Sequence, residues 1–172
     1  MAASHLTLFI MSDTLRSLLL AVQFFTRLPL PASWARWADF SPERMRAAIA
    51  LMPAVGWLTG GLAAAVFAAV LQLWGTPWMW HSAPALLVAL AAVLSTAATA
   101  WLTGGMHEDG LSDVADAFFG SASPEQALQI MKDPRVSNYA VLVLVLFLLV
   151  KIGLLAALAL LHVPALLYLL VA

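Results

Sequence analysis

NYAVLVLVLFLLVKIGLLAALALL, residues 138–161, contains one charged side chain, Lys151. A helix of that length covers about 36 Å at 1.5 Å per residue, more than the roughly 30 Å of a bilayer's hydrocarbon core. The stretch reads as a membrane span over about 138–161. Lys151 lies well inside it, where an ionisable group is a functional candidate by default, unless it snorkels to the interface or faces a neighbouring helix. The rest of the chain has the same character. Of 172 residues, 63% are hydrophobic and 10% charged, against about 25% charged in soluble domains.

Towards the amino terminus, Pro84 to Leu102 reads as another span (84–102). About Met45 to Trp74 reads as a third (45–74), its Gly56, Gly60 and Gly61 giving small faces for helix packing. Between these two, Trp74, Trp78 and Trp80 mark a turn at the membrane interface. Leu15 to Phe25 (15–25) is too short to span comfortably and stops at Arg27 before Pro29 and Pro31, so it reads as an interfacial or re-entrant helix. Towards the carboxyl terminus, 163–172 is apolar but reaches only about 15 Å as a helix. It reads as a partial span that a longer protein completes. The fold class expected is all-α: a polytopic integral membrane helical bundle of one domain, truncated at its carboxyl end.

Several classes are excluded or disfavoured. The absence of cysteine removes disulfides, thiolate metal sites and a cysteine nucleophile. A net charge of -1, with eight scattered Lys and Arg, gives no basic footprint, so no nucleic acid is expected as a partner. The first residues lack a basic region and a small-residue cleavage site, so no removable signal peptide is read. The segment from Thr26 to Arg46 contains Arg27, Arg36, Arg44 and Arg46, the 75–81 turn has no Lys or Arg, and Lys132 and Arg135 lie in the segment after 84–102. The positive-inside rule then puts the Arg-rich segment and the 104–137 loop on one face, the cytoplasmic one.

That loop, about 104–137, holds six of the nine acidic residues. In GGMHEDGLSDVADAFFG, Asp109, Asp113 and Asp116 stand at i, i+4 and i+7, within about 40° of one helix face. Carboxylates at that spacing repel unless a cation neutralises them, and oxygen-only ligands suit Mg²⁺, which commonly joins one or two carboxylates to substrate phosphates. A solvated acidic face is the plainer alternative. Glu108 lies about 100° around the helix from Asp109, as a capping or supporting group, and His107 is a candidate base. Lys132, Asp133 and Arg135 could bind phosphate oxygens, as could Arg27, although cations beside spans also serve as topology anchors.

The string TGGMHEDGLSDVADAFFG, with SPEQALQIMKDPRVSNYA after it and FFTRLPLP and PAVGWLTGG before it, resembles the cobalamin synthase family in composition and order. The resemblance implies a Mg²⁺-dependent membrane transferase of the bacterial inner membrane that joins α-ribazole, or its 5′-phosphate, to adenosylcobinamide-GDP with release of GMP. It implies that Asp109, Asp113 and Asp116 hold the metal and that Arg27, Lys132, Asp133 and Arg135 meet substrate. It further implies His107, Glu108 or another carboxylate as the proton acceptor. The bilayer and a second copy of the chain are further candidate partners. CDP-alcohol phosphotransferases and membrane prenyltransferases also use Asp-rich helices, but the first expect Ala-Arg after Asp-Gly and the second a further acidic motif. A divalent-cation transporter would favour acidic residues inside the spans, and the sequence places none there.

Overall fold

The computed structural model describes residues 2–73 and 83–161, with side chains from residue 12 onward. The tryptophan-bearing turn at 74–81 and the expected partial span 163–172 lie outside the described residues. Among the described residues every regular element is a helix: α1 (Ala2–Phe25), α2 (Ala32–Ala38), α3 (Pro42–Ala50), α4 (Met52–Leu73), α5 (Ala85–Thr103), α6 (Met106–Gly120), α7 (Pro124–Ile130) and α8 (Asn138–Leu160). Of these, α4, α5 and α8 are long and apolar enough to cross a membrane. Only 6% of the apolar window of α8 is buried within the chain, and Val141, Leu142, Val145, Leu146, Leu149 and Val150 are all exposed. Such a surface is stable against lipid and not against water. The chain is a helical membrane bundle.

Two helices differ in extent from the sequence reading. The short helix expected at 15–25 is the second half of the 24-residue α1. The span expected from about 45 is divided at Leu51, whose N–H reaches the carbonyls of Ala47 and Ala48 and closes α3. Pro53 stands in the first turn of α4, where its missing N–H is harmless, whereas a continuous helix would set its ring against the carbonyl of Ile49. The apolar span therefore starts at Met52, and the charged PERMRAAIA segment forms a separate helix. Ser41 caps it by accepting from the N–H of Arg44 at 3.1 Å, with Pro42 at the first helical position.

Contacts divide the chain into two compact units: Met1–Thr59 with Leu102–Gly104, and Gly60–Trp101 with Gly105–Ala172. In the first, α1 packs on α2 and α3, burying Leu20, Ala21 and Phe25 against Ala48 and Val55. The Arg16 guanidinium lies 5.0 Å from the ring centroid of Trp37, a cation–π contact that ties α1 to α2. In the second, Phe67 and Leu71 of α4 meet Val88, Ala91 and Ala92 of α5 and Leu155 and Ala159 of α8. Alanines on α5 let the helices approach closely, as membrane packing requires. Ser95 and Thr99 donate their hydroxyls to the carbonyls of Ala92 and Thr96, which gives each buried hydroxyl an acceptor within α5.

Candidate active site

Gly104 and Gly105 have φ of 71° and 74°, and these two left-handed residues end α5 and start α6. The Gly105 N–H closes α5 on the Ala100 carbonyl at 2.8 Å. A Cβ at Gly104 would lie 2.6 Å from Nε of Arg27, whose backbone N–H donates to Leu102 at 2.7 Å and whose Nη2 lies 3.5 Å from the Gly104 carbonyl. Arg27 thus packs on the junction that leads into the acidic helix. The sequence reading gave it a substrate-binding or anchoring task and no partner.

The 104–137 stretch, expected as a loop with a helical stripe, is largely folded as α6 and α7. Helix α6 packs against α8. Near its carboxyl end, Asp116 meets Ser137 and Ala140 at the start of α8. Near its amino end, Glu108 acts electrostatically on Lys151, 13 residues into α8. The two helices are therefore antiparallel, and α6 lies beside the first 20 Å or so of α8. This supplies what the sequence left open for Lys151: the acidic group facing it comes from α6. Oε2 of Glu108 is buried and receives no hydrogen bond.

The acidic residues on α6 have different surroundings. His107 and Asp109 are exposed, Asp113 is half-buried and Asp116 is buried, at 7% exposure. Among the described residues, no three His, Asp or Glu side chains gather closely enough to hold a metal ion. Asp109 and Asp113 stand one turn apart on the helix, while Asp116 turns its carboxylate into the start of α8. Oδ2 accepts from the Ser137 N–H at 2.9 Å; Oδ1 accepts from the Ala140 N–H at 2.8 Å and from the Ser137 hydroxyl. The Ser137 hydroxyl first, then the two backbone donors, hold the Asp116 carboxyl below the usual carboxylate range against the opposing effect of burial.

Between α7 and α8, Asp133 and Arg135 form a local ion pair. Nε of Arg135 lies 3.0 Å from both Asp133 oxygens, and the Arg135 N–H reaches Oδ1 at 3.0 Å. Arg135 therefore holds the Asp133 carboxyl down to about 2. The Arg135 side chain is 88% exposed, so a ligand can reach it. Lys132 is exposed beside it. Asp116, Asp133, Arg135, Ser137 and Tyr139 line one cavity of about 370 Å³ with Gly120, Ile130 and Val136, a volume in the range of small-molecule sites. Phe119 stacks on Tyr139, 5.6 Å between centroids and 27° between planes, beside this cavity.

The structure thus brings Asp116, Asp133 and Arg135 together and places Asp109, Asp113 and His107 along the same helix as Asp116. Glu108 turns towards α8, and Arg27 belongs to the other compact unit. Ser137 and Tyr139 were missed by the sequence reading. A serine directly before an apolar run is a helix-start signal that could have drawn attention to Ser137.

A family model described as cobalamin-5-phosphate synthase matches residues 17–172. Among curated proteins, an adenosylcobinamide-GDP ribazoletransferase of Polaromonas naphthalenivorans is 48% identical over 148 residues, 86% of this chain and 51% of that protein. The protein of the same name from Shewanella amazonensis is 42% identical over 147 residues, 86% of this chain and 50% of that one. The chain spans about half the length of the curated relatives it matches. No solved structure matches.

Proposed function

This chain belongs to the cobalamin-5-phosphate synthase family, and from that premise we propose that it carries a membrane site joining α-ribazole, or its 5′-phosphate, to adenosylcobinamide-GDP with release of GMP. The observation that carries this reading is the acidic helix α6 laid along α8, with the Asp133–Arg135 segment at its end and a cavity of about 370 Å³ between them. Carboxylates for a cation and an exposed guanidinium for phosphate are what transfer between phosphate esters calls for.

Asp109 and Asp113 offer only oxygen donors, one turn apart and open to solvent or partly so. That pair fits the incomplete shell that Mg²⁺ takes when substrate phosphates supply the remaining ligands. Once bound, the ion would neutralise negative charge on the departing GMP. Arg135 and Lys132 would orient phosphate oxygens, Arg135 exchanging the Asp133 carboxylate for a ligand oxygen in its fork. His107, exposed in the first turn of α6, would accept the proton as a ribazole hydroxyl forms its bond to the cobinamide-linked phosphorus and the bond from that phosphorus to GMP breaks. Glu108, turned to Lys151, is less suited to that task. The cationic residues before α4 and after α6 support a cytoplasmic placement of the site in the bacterial inner membrane.

Complementation tests the reading. A strain lacking its cobalamin synthase, given this chain, is expected to make cobalamin from cobinamide, and the Asp109→Ala/Asp113→Ala double variant is expected to fail. Equal growth with the chain and with its double variant would overturn the assignment of these carboxylates. No rescue by an abundantly inserted chain would overturn the activity.

A further inference from the structure

We infer that Asp116 is a positioning residue that staples α6 to the start of α8, and that it is not one of the metal-holding carboxylates. Each of its hydrogen-bond partners is a donor: the N–H of Ser137, the N–H of Ala140 and the Ser137 hydroxyl, which itself accepts from the Tyr139 N–H at 3.0 Å. The first N–H groups of a helix have no partner inside it, and α8 satisfies two such donors with a side chain from another helix 21 and 24 residues away in sequence. The carboxylate also lies at the positive end of the α8 dipole. With three of its accepting positions used and 7% exposure, Asp116 has little left to offer a cation held by Asp109 and Asp113.

What the staple positions follows from the chain. Ser137 comes two residues after Arg135, and both line the cavity that Asp116 also lines. Fixing Ser137 fixes where the 131–137 segment leaves α7 and where Arg135 can meet a phosphate. Asparagine cannot replace the carboxylate here, because its NH₂ would point at a donor. Only the Ser137 hydroxyl could turn to accept from it, and that would leave a backbone N–H without a partner.

Two arms separate this inference from the transferase reading, on which only the second arm rests. In the first, the purified chain in detergent with EDTA is treated with trypsin, which cuts after Lys132 and Arg135. Asp116→Asn is expected to speed cleavage at these two sites at least about tenfold, while Asp109→Asn and Asp113→Asn leave it within twofold. Ser137→Ala, which removes one donor and no carboxylate, should accelerate cleavage in the same direction. Its combination with Asp116→Asn should add less than the two single effects together. In the second arm, GMP release by Asp116→Asn is expected to show a several-fold higher KM for adenosylcobinamide-GDP and a Mg²⁺ half-saturation within twofold of the parent. The two aspartate variants upstream should raise the Mg²⁺ requirement tenfold or more. Parental cleavage of metal-free Asp116→Asn and Ser137→Ala would overturn the staple. A tenfold rise in Mg²⁺ requirement for Asp116→Asn would return that residue to the metal. If Asp116→Asn does not fold, parental cleavage of Ser137→Ala alone overturns the inference and faster cleavage sustains it.

Discussion

Asp133 and Arg135 are close enough in sequence to pair without help from the fold, and their pairing sets a pH window. The folded carboxyl, held at about 2 by Arg135, is depressed from an ordinary value of about 3.9. Any stability the pair contributes is therefore complete above about pH 4 and lost as pH falls through about 2. The carboxyl carbon of Asp133, followed by NMR in detergent, is expected to titrate near 2, and clearly higher in Arg135→Gln, which loses the guanidinium and keeps the backbone N–H bond. An unchanged midpoint in that variant would show that the guanidinium is not the cause. A second residue-scale expectation concerns Gly104, with φ of 71° and Arg27 Nε 2.6 Å from where a Cβ would be. Gly104→Ala forces a left-handed alanine, which costs about 1–2 kcal/mol before Arg27 is displaced. Denaturant unfolding should register at least that loss; a neutral substitution would mean that the junction rearranges without cost.

At the scale of elements, α6 is joined to the start of α8 by the hydrogen bonds of Asp116, and near its other end Glu108 acts electrostatically on Lys151. Lys151 lies inside a span, and removing the opposite charge on Glu108 leaves it without compensation. Glu108→Gln and Lys151→Met should each lower the melting temperature in detergent, and the double variant should melt above either single one. A double variant that melts below both would show that the two residues act separately. Much of this was legible in the sequence. The spans α5 and α8 follow from long apolar runs, that of α8 broken only by Lys151, and the acidic stripe from helical spacing. Spacing cannot say which way a side chain turns, so Asp116 fell into one set with Asp109 and Asp113, although its partners lie 21 residues further on. The α3–α4 break depended on Pro53 and on charges whose effect an apolar average hides.

For the whole molecule, the exposed apolar face of α8 and the cations before α4 and after α6 bear on how the chain sits in a membrane. With no cysteine in the chain, Ser33→Cys and Glu125→Cys are clean reporters. Both are expected to react with an impermeant reagent from the cytoplasmic side; reaction from opposite sides would contradict the positive-inside reading. Fold class and family agree with what the sequence implies, because hydropathy and one dense motif carry both. The chemistry rests on fewer residues, and one experiment reaches it directly. Membranes containing the chain are supplied with adenosylcobinamide-GDP, and GMP is measured with and without α-ribazole and Mg²⁺. GMP should appear only when both are present and fall at least tenfold when Asp109 or Asp113 is changed to alanine. GMP release that needs no ribazole, or that survives in both variants without Mg²⁺, would contradict a ribazole transferase built on these carboxylates.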